Sequence, residues 1–276
     1  MHKSPPTGTA FAMALFSLFV SLHICANPVT QKRRIVVTTS LLECGVNDLT
    51  DDQNGWAVTR LIPPGNCPGH FDISPKAASR LKASGVLIRH DYQKSLTKKI
   101  ENFGGEDLNI VTVKTPGSFL IPANYLKLLR QLRTGVADHF PGSRPMLKEN
   151  FQRQRQHLQK LDKELQQRTA SWKGTPVIAA KHQKQFVRYL GFEPVGILPR
   201  PSDTTAKSLK ALMDKDPALI IGNRQSNADA ARNLAARMDV PVAIVSNFPG
   251  VGDETLDYTT LLQQNLKSIR DAWNKN

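Results

Sequence analysis

The chain has 276 residues, 40% of them hydrophobic and 22% charged, and a formal net charge of +14. This is ordinary globular composition, long enough for one large domain or two small ones, and it excludes a low-complexity or short-repeat chain. The basic residues are spread along the sequence, without an Arg-rich arm or aromatic–basic interleaving, so a solvated basic surface or one facing anionic headgroups is expected and nucleic acid is not.

Residues 1–26 read as a secretory signal peptide. Lys3 gives a positive start, and Ala10 to Leu22 is apolar apart from Ser17 and Ser21. Small Ala26 ends the segment before the polar run Thr30 to Arg34. The run is short of the roughly 20 residues a bilayer span needs. A short membrane anchor or a buried helix is the alternative. Leu22-His23-Ile24-Cys25 resembles a lipoprotein box, but Ile24 is not small. Cleavage after Ala26 removes Cys25 and with it the alternative of a lipid anchor. The mature protein is then extracytoplasmic, in a periplasm or its equivalent, and is expected to be monomeric. Its two remaining cysteines, Cys44 and Cys67, can pair in an oxidising compartment.

Short apolar, β-branched runs then alternate with segments of helical spacing. The first set is Ile35 to Thr39, Ala57 to Ile62, Val86 to Arg89 and Ile110 to Val113. The second is Val177 to Ala180, Val195 to Leu198, Ala218 to Ile221 and Val242 to Val245. Helical stretches such as Lys76 to Ser84 and Ala228 to Met238 lie between them. Alternation of this kind predicts parallel sheets built from βα units. Between the sets, Leu147, Phe151, Leu158, Leu161 and Leu165 form one narrow stripe on a long helix, read as an interdomain strut rather than a coiled coil. The fold class is therefore α/β, with two lobes. Each lobe has a four-stranded, mainly parallel sheet flanked by helices, and one long helix joins the two. The expected boundaries are 33–143, 146–170 and 174–276.

In open α/β sheets ligands bind beyond the carboxyl ends of the strands, so two lobes can present those ends across a cleft. Five histidines follow the leader, and three of them, His70, His90 and His182, fall at strand ends. His139 and His157 sit on helices and read as surface residues. Imidazole and thiolate suit Zn²⁺ and its neighbours. Cys67-x-x-His70 places one of each together, unless Cys67 is tied to Cys44. Cys67 with His70 or His182 could also form a nucleophile–base pair. No phosphate loop, G-x-S-x-G elbow or H-E-x-x-H accompanies it, so an enzyme is not expected. Lys181, Arg200 and Arg224 stand at ends of the second set of strands.

These segments resemble the zinc- and manganese-type solute-binding proteins of ABC importers, and the likeness covers the mature chain. The loop from Leu61 to His70 looks like the family's P-x-G-x-x-P-H segment, which supplies its first metal-binding His. Pro116 to Pro122 looks like P-H-x-W-L-x-P. Ile178 to His182 resembles the strand carrying the third ligand, and Tyr258 to Ile269 the closing helix. The resemblance implies two lobes on a rigid helix, a metal in the cleft and a permease partner. His70 and His182 match two ligand positions. The second His falls on Gly117, the acidic fourth ligand on Ser246, and a further acidic residue is replaced near Gly222-Asn223. Three functions follow. One is a rearranged metal site of His70, His182 and either His90 or Cys67. It would take zinc before Mn²⁺ or another divalent ion, because the donors are borderline-soft. The second is a cleft for a metal complex or small anionic solute near Lys181, Arg200 and Arg224. The third is a cleft that has lost its ligand and serves in interaction.

Overall fold

The strands form where short apolar, β-branched runs recur. In a computed structural model, residues 32–50, 55–66, 68, 74–94, 100, 108–251 and 255–274 are described. The segment 1–26 and the candidates Cys67 and His70 lie outside them.

Strands β1 (Arg33–Val37), β2 (Trp56–Arg60), β3 (Val86–His90) and β4 (Asn109–Val113) make one sheet, in the order β2-β1-β3-β4 and parallel throughout. Strands β5 (Pro176–Ala180), β6 (Glu193–Leu198), β7 (Leu219–Asn223) and β8 (Val242–Val245) make a second sheet. Its order, β6-β5-β7-β8, repeats the first, again all parallel. Central strands β3 and β7 are buried along their whole length, as in a sheet covered on both faces.

Eight α-helices flank and join the sheets among the described residues. They are α1 (Ser40–Thr50), α2 (Pro75–Lys82), α3 (Pro122–His139), α4 (Arg144–Arg168), α5 (Lys184–Tyr189), α6 (Ala206–Met213), α7 (Ala228–Met238) and α8 (Tyr258–Trp273). The expected strut is α4, and the stripe Leu147, Phe151, Leu158, Leu161 and Leu165 is its buried face. The helix starts two residues before the expected Met146. Pro145 does not precede it but sits in its first turn, where a missing N–H leaves no bond unmade. Asn150, also buried on α4, donates from Nδ2 to Leu49 O at 2.8 Å and so ties the strut to the end of α1.

Side chains alternate across the first sheet. Ile35 and Val37 enter one large apolar cluster, and Val36 enters another on the opposite face. The large cluster continues through α3 and α4 into Val177, Ala179, Leu219 and Ile221 of the second sheet. Its outer counterpart there holds Ile178, Ile220 and Leu234. Residues 32–276 accordingly form one compact unit. None of its described helices is long and apolar enough to cross a membrane.

Candidate metal-binding site

The carboxyl ends of both sheets converge, because bonds join the loops that leave them. Gln225 Nε2, after β7, donates to Pro64 O after β2 at 3.3 Å. Ser118 N, after β4, donates to Gln185 Oε1 on α5 at 2.7 Å. Tyr258 Oη, at the start of α8, donates to Phe119 O at 2.8 Å.

On the first sheet, β1 runs into Thr38, Thr39 and Ser40, all buried. His90 is the last residue of β3 and wholly buried. Its ring is stacked on Tyr92 at 4.9 Å and lies 5.6 Å from that of Phe119. His90 Nε2 is 3.0 Å from Thr39 Oγ1, and Nδ1 has no partner. Burial pushes the imidazole pKa down to about 3, against the opposing charge of Asp91. His90 is therefore neutral at physiological pH. In the tautomer that donates from Nε2 to Thr39 Oγ1, Nδ1 keeps a lone pair. Gln93 braces the same corner. Its Oε1 accepts from Thr38 Oγ1 at 2.7 Å and from His90 N at 3.0 Å, while Nε2 is unpartnered.

On the second sheet, β5 leads into the turn Lys181–Gln183. His182 is exposed there, and its pKa is lowered by desolvation first and then by the charges of Arg200 and Lys181. Lys181, Arg200 and Arg224 are exposed at the ends of β5, β6 and β7. Ser246 stands where the resemblance places an acid, and its hydroxyl is saturated. It accepts from Gln225 Nε2 and donates to Phe248 O, both at 2.8 Å. Asn265 holds its backbone from both sides. Gln183 donates to Asn247 Oδ1 at 2.9 Å, and Gln225 Oε1 accepts from Asn247 N at 3.1 Å. This wall is thus a neutral network of amides and a hydroxyl.

Among the described residues no three His, Cys, Asp or Glu side chains gather closely enough to hold a metal. Of the four sequence candidates, His90 and His182 are placed at strand ends as expected. Cys44 is a free, buried thiol, and Cys67 lies outside the described residues. Cys44 faces inward from α1, with its Sγ 3.4 Å from Tyr125 Oη. His139 is half-buried, with Nε2 turned inward and unpartnered, rather than a surface residue. His157 is exposed, as expected, and pairs with Thr259 Oγ1 at 2.8 Å.

Sequence reading missed a polar cavity of about 220 Å³ between α1, α4 and the start of α8. Asp48, Tyr125, Gln154, His157, Asp257 and Tyr258 contribute to its lining. Burial and the neighbouring Asp257 raise the Asp48 carboxyl to about 6, although Tyr125 donates to it at 2.7 Å. No sequence spacing relates residues so far apart.

The model of the zinc-uptake complex component A family, periplasmic, matches residues 35–272. No curated protein matches the chain in sequence. Among solved structures, the chain is similar to a crystal structure of ZnuA, with 16% identity and a TM-score of 0.73 over 87% of this chain and 99% of that one. It is similar to a periplasmic metal binding protein from Candidatus Liberibacter asiaticus, with 14% identity and a TM-score of 0.72 over 88% and 100%. It also resembles the solute-binding protein FpvC from Pseudomonas aeruginosa in complex with Mn²⁺, with 15% identity and a TM-score of 0.73 over 88% and 99%. At such identities the structures establish the fold, and the family match covers most of the chain. The chain belongs to the zinc-uptake component A family of metal-binding solute-binding proteins, which are transport components and not enzymes.

Proposed function

We propose that this protein captures a divalent transition metal, zinc before manganese, between its two sheets and delivers it to an ABC permease. The observation that carries the reading is His90, a buried neutral imidazole with Nε2 set against Thr39 and an unpartnered Nδ1. A metal-binding imidazole needs a free ring nitrogen and an outer partner that fixes its tautomer. His182 adds an imidazole whose pKa is lowered. His70 joins them, and Cys67 is the alternative to His90. Solved relatives by fold hold zinc, Mn²⁺ or Ni²⁺. Two neutral imidazoles in a basic protein favour borderline-soft Zn²⁺, since Mn²⁺ prefers carboxylate oxygens. The two sheets with their helices, 33–143 and 174–276 about the strut 146–170, act as lobes. Segment 1–26 directs export and is removed with it, and the protein works as a monomer.

A second reading rests on Lys181, Arg200 and Arg224 beside a wall whose acid is replaced by Ser246. In it the cleft holds a metal complex or another small anion. Competition titration with zinc separates the two. His70→Ala and His182→Ala should each lose most of the affinity, and His90→Ala as much or less. Wild-type protein that binds zinc no tighter than about 1 μM overturns the metal reading and leaves the anionic one.

A further inference from the structure

Gly117 sits between β4 and α3 with φ +139°, a conformation that L side chains rarely adopt. A Cβ built there would meet Asn124 Nδ2 at 3.3 Å and fall well inside contact distance of Gln185 Oε1. The space that a side chain at 117 would enter is therefore taken by an amide from the other half of the chain. The same Gln185 oxygen accepts from Ser118 N at 2.7 Å. Gln185 follows His182 by three residues and is the second residue of α5, just beyond the His182 turn.

We propose that Gln185 is a positioning residue, which fastens the β4–α3 loop to the His182 turn before any ligand arrives. The glycine makes this possible. A larger residue at 117 would displace the end of a flexible Gln side chain rather than the backbone, and the bond would open. The inference rests on the cleft being the binding site, as proposed above. If only the fastened form binds, apparent affinity is the intrinsic affinity reduced by the fastened fraction. One exposed amide bond makes that effect about two- to ten-fold.

Hydrogen exchange at the Ser118 amide of the metal-free protein tests the fastening directly. Wild type should exchange more slowly than Gln185→Ala by about two- to ten-fold, and Gln185→Glu should match wild type, because a carboxylate oxygen also accepts. The Ile220 amide, inside β7, should not change and reports that the fold is intact. Equal Ser118 exchange in wild type and Gln185→Ala overturns the proposal. Zinc titration then tests the consequence. Gln185→Ala should bind two- to ten-fold more weakly, and unchanged affinity beside a zinc-binding wild type overturns that part. A wild type that binds no zinc would sink the metal reading of the cleft, while the exchange result would still decide the fastening.

Discussion

Tyr125 and Tyr258 lie face to face, their ring centroids 3.8 Å apart and their planes 3° from parallel. One ring comes from α3, beside the first sheet, and the other opens α8, beside the second. Both are buried, and each spends its hydroxyl on a different neighbour. Tyr125 donates to Asp48, and Tyr258 donates to Phe119 O. The apolar faces thus join the two halves, and the polar ends fix their register.

Removing one of those hydroxyls should loosen the junction without emptying it. Tyr258→Phe leaves Phe119 O without its donor and should destabilise by about 1–3 kcal/mol. Tyr258→Ala also opens a cavity and should lose about 3–5 kcal/mol. Urea denaturation of the three proteins decides the order. A Tyr258→Phe variant as stable as wild type would show that the bond contributes nothing.

The raised carboxyl of Asp48 predicts a pH dependence with a definite sign. Its unfolded value is about 4 and its folded value about 6. Between them the folded protein binds more protons than the unfolded one. This contribution is therefore full below about pH 4, declines as pH rises to 6, and is gone above it. Its size is up to about 3 kcal/mol. Tyr125 and Cys44, with Asp257, Tyr258 and His157 across the cavity, are the titratable groups that face it. Asp48→Asn keeps an acceptor for Tyr125 and should be the more stable protein at pH 7. The difference between the two proteins should vanish near pH 4, and a difference that does not vary with pH excludes this assignment.

Cys44 should be chemically silent in the folded protein. Burial foremost, and the charge of Asp48 next, push its thiol well above the ordinary range. The thiolate is the reactive form. Alkylation followed by peptide mapping should label Cys44 only after denaturation. Rapid labelling of native protein, or recovery of a Cys44–Cys67 peptide, would contradict its placement.

Gly222 in β7 shows close packing of another kind. A Cβ there would meet Ala231 Cβ at 2.6 Å and Ile244 Cδ1 at 2.8 Å. Gly222→Ala should destabilise by about 1–3 kcal/mol through overpacking between β7 and α7. Thermal melts suffice, and an unchanged midpoint would mean that the helix can shift without loss.

The strands were legible because each is a short apolar run bounded by polar residues, and the strut because its stripe is narrow and long. Its expected start fell two residues late, because Pro145 lies inside the first turn. The candidate site was legible only by position. That His90 and His182 stand at strand ends follows from the βα pattern. That His90 is sealed under Tyr92 and Phe119, with one nitrogen against Thr39, depends on side-chain packing that no spacing encodes. The sequence left a Cys44–Cys67 pairing open, since two cysteines alone do not say where either side chain turns; in the fold Cys44 turns toward Tyr125. Gly117 read simply as a lost ligand, since the approach of Gln185 is a property of the folded chain.

The apolar cluster that runs from Ile35 through Leu158 to Ile221 has a consequence for how such a chain comes apart. Neither sheet owns a complete interior, so cutting between them would bare the same surface on both fragments. Heating should give one endotherm rather than two. Solutes must then enter by local yielding of the loops around the carboxyl ends, since a wide swing of one half would tear a shared interior.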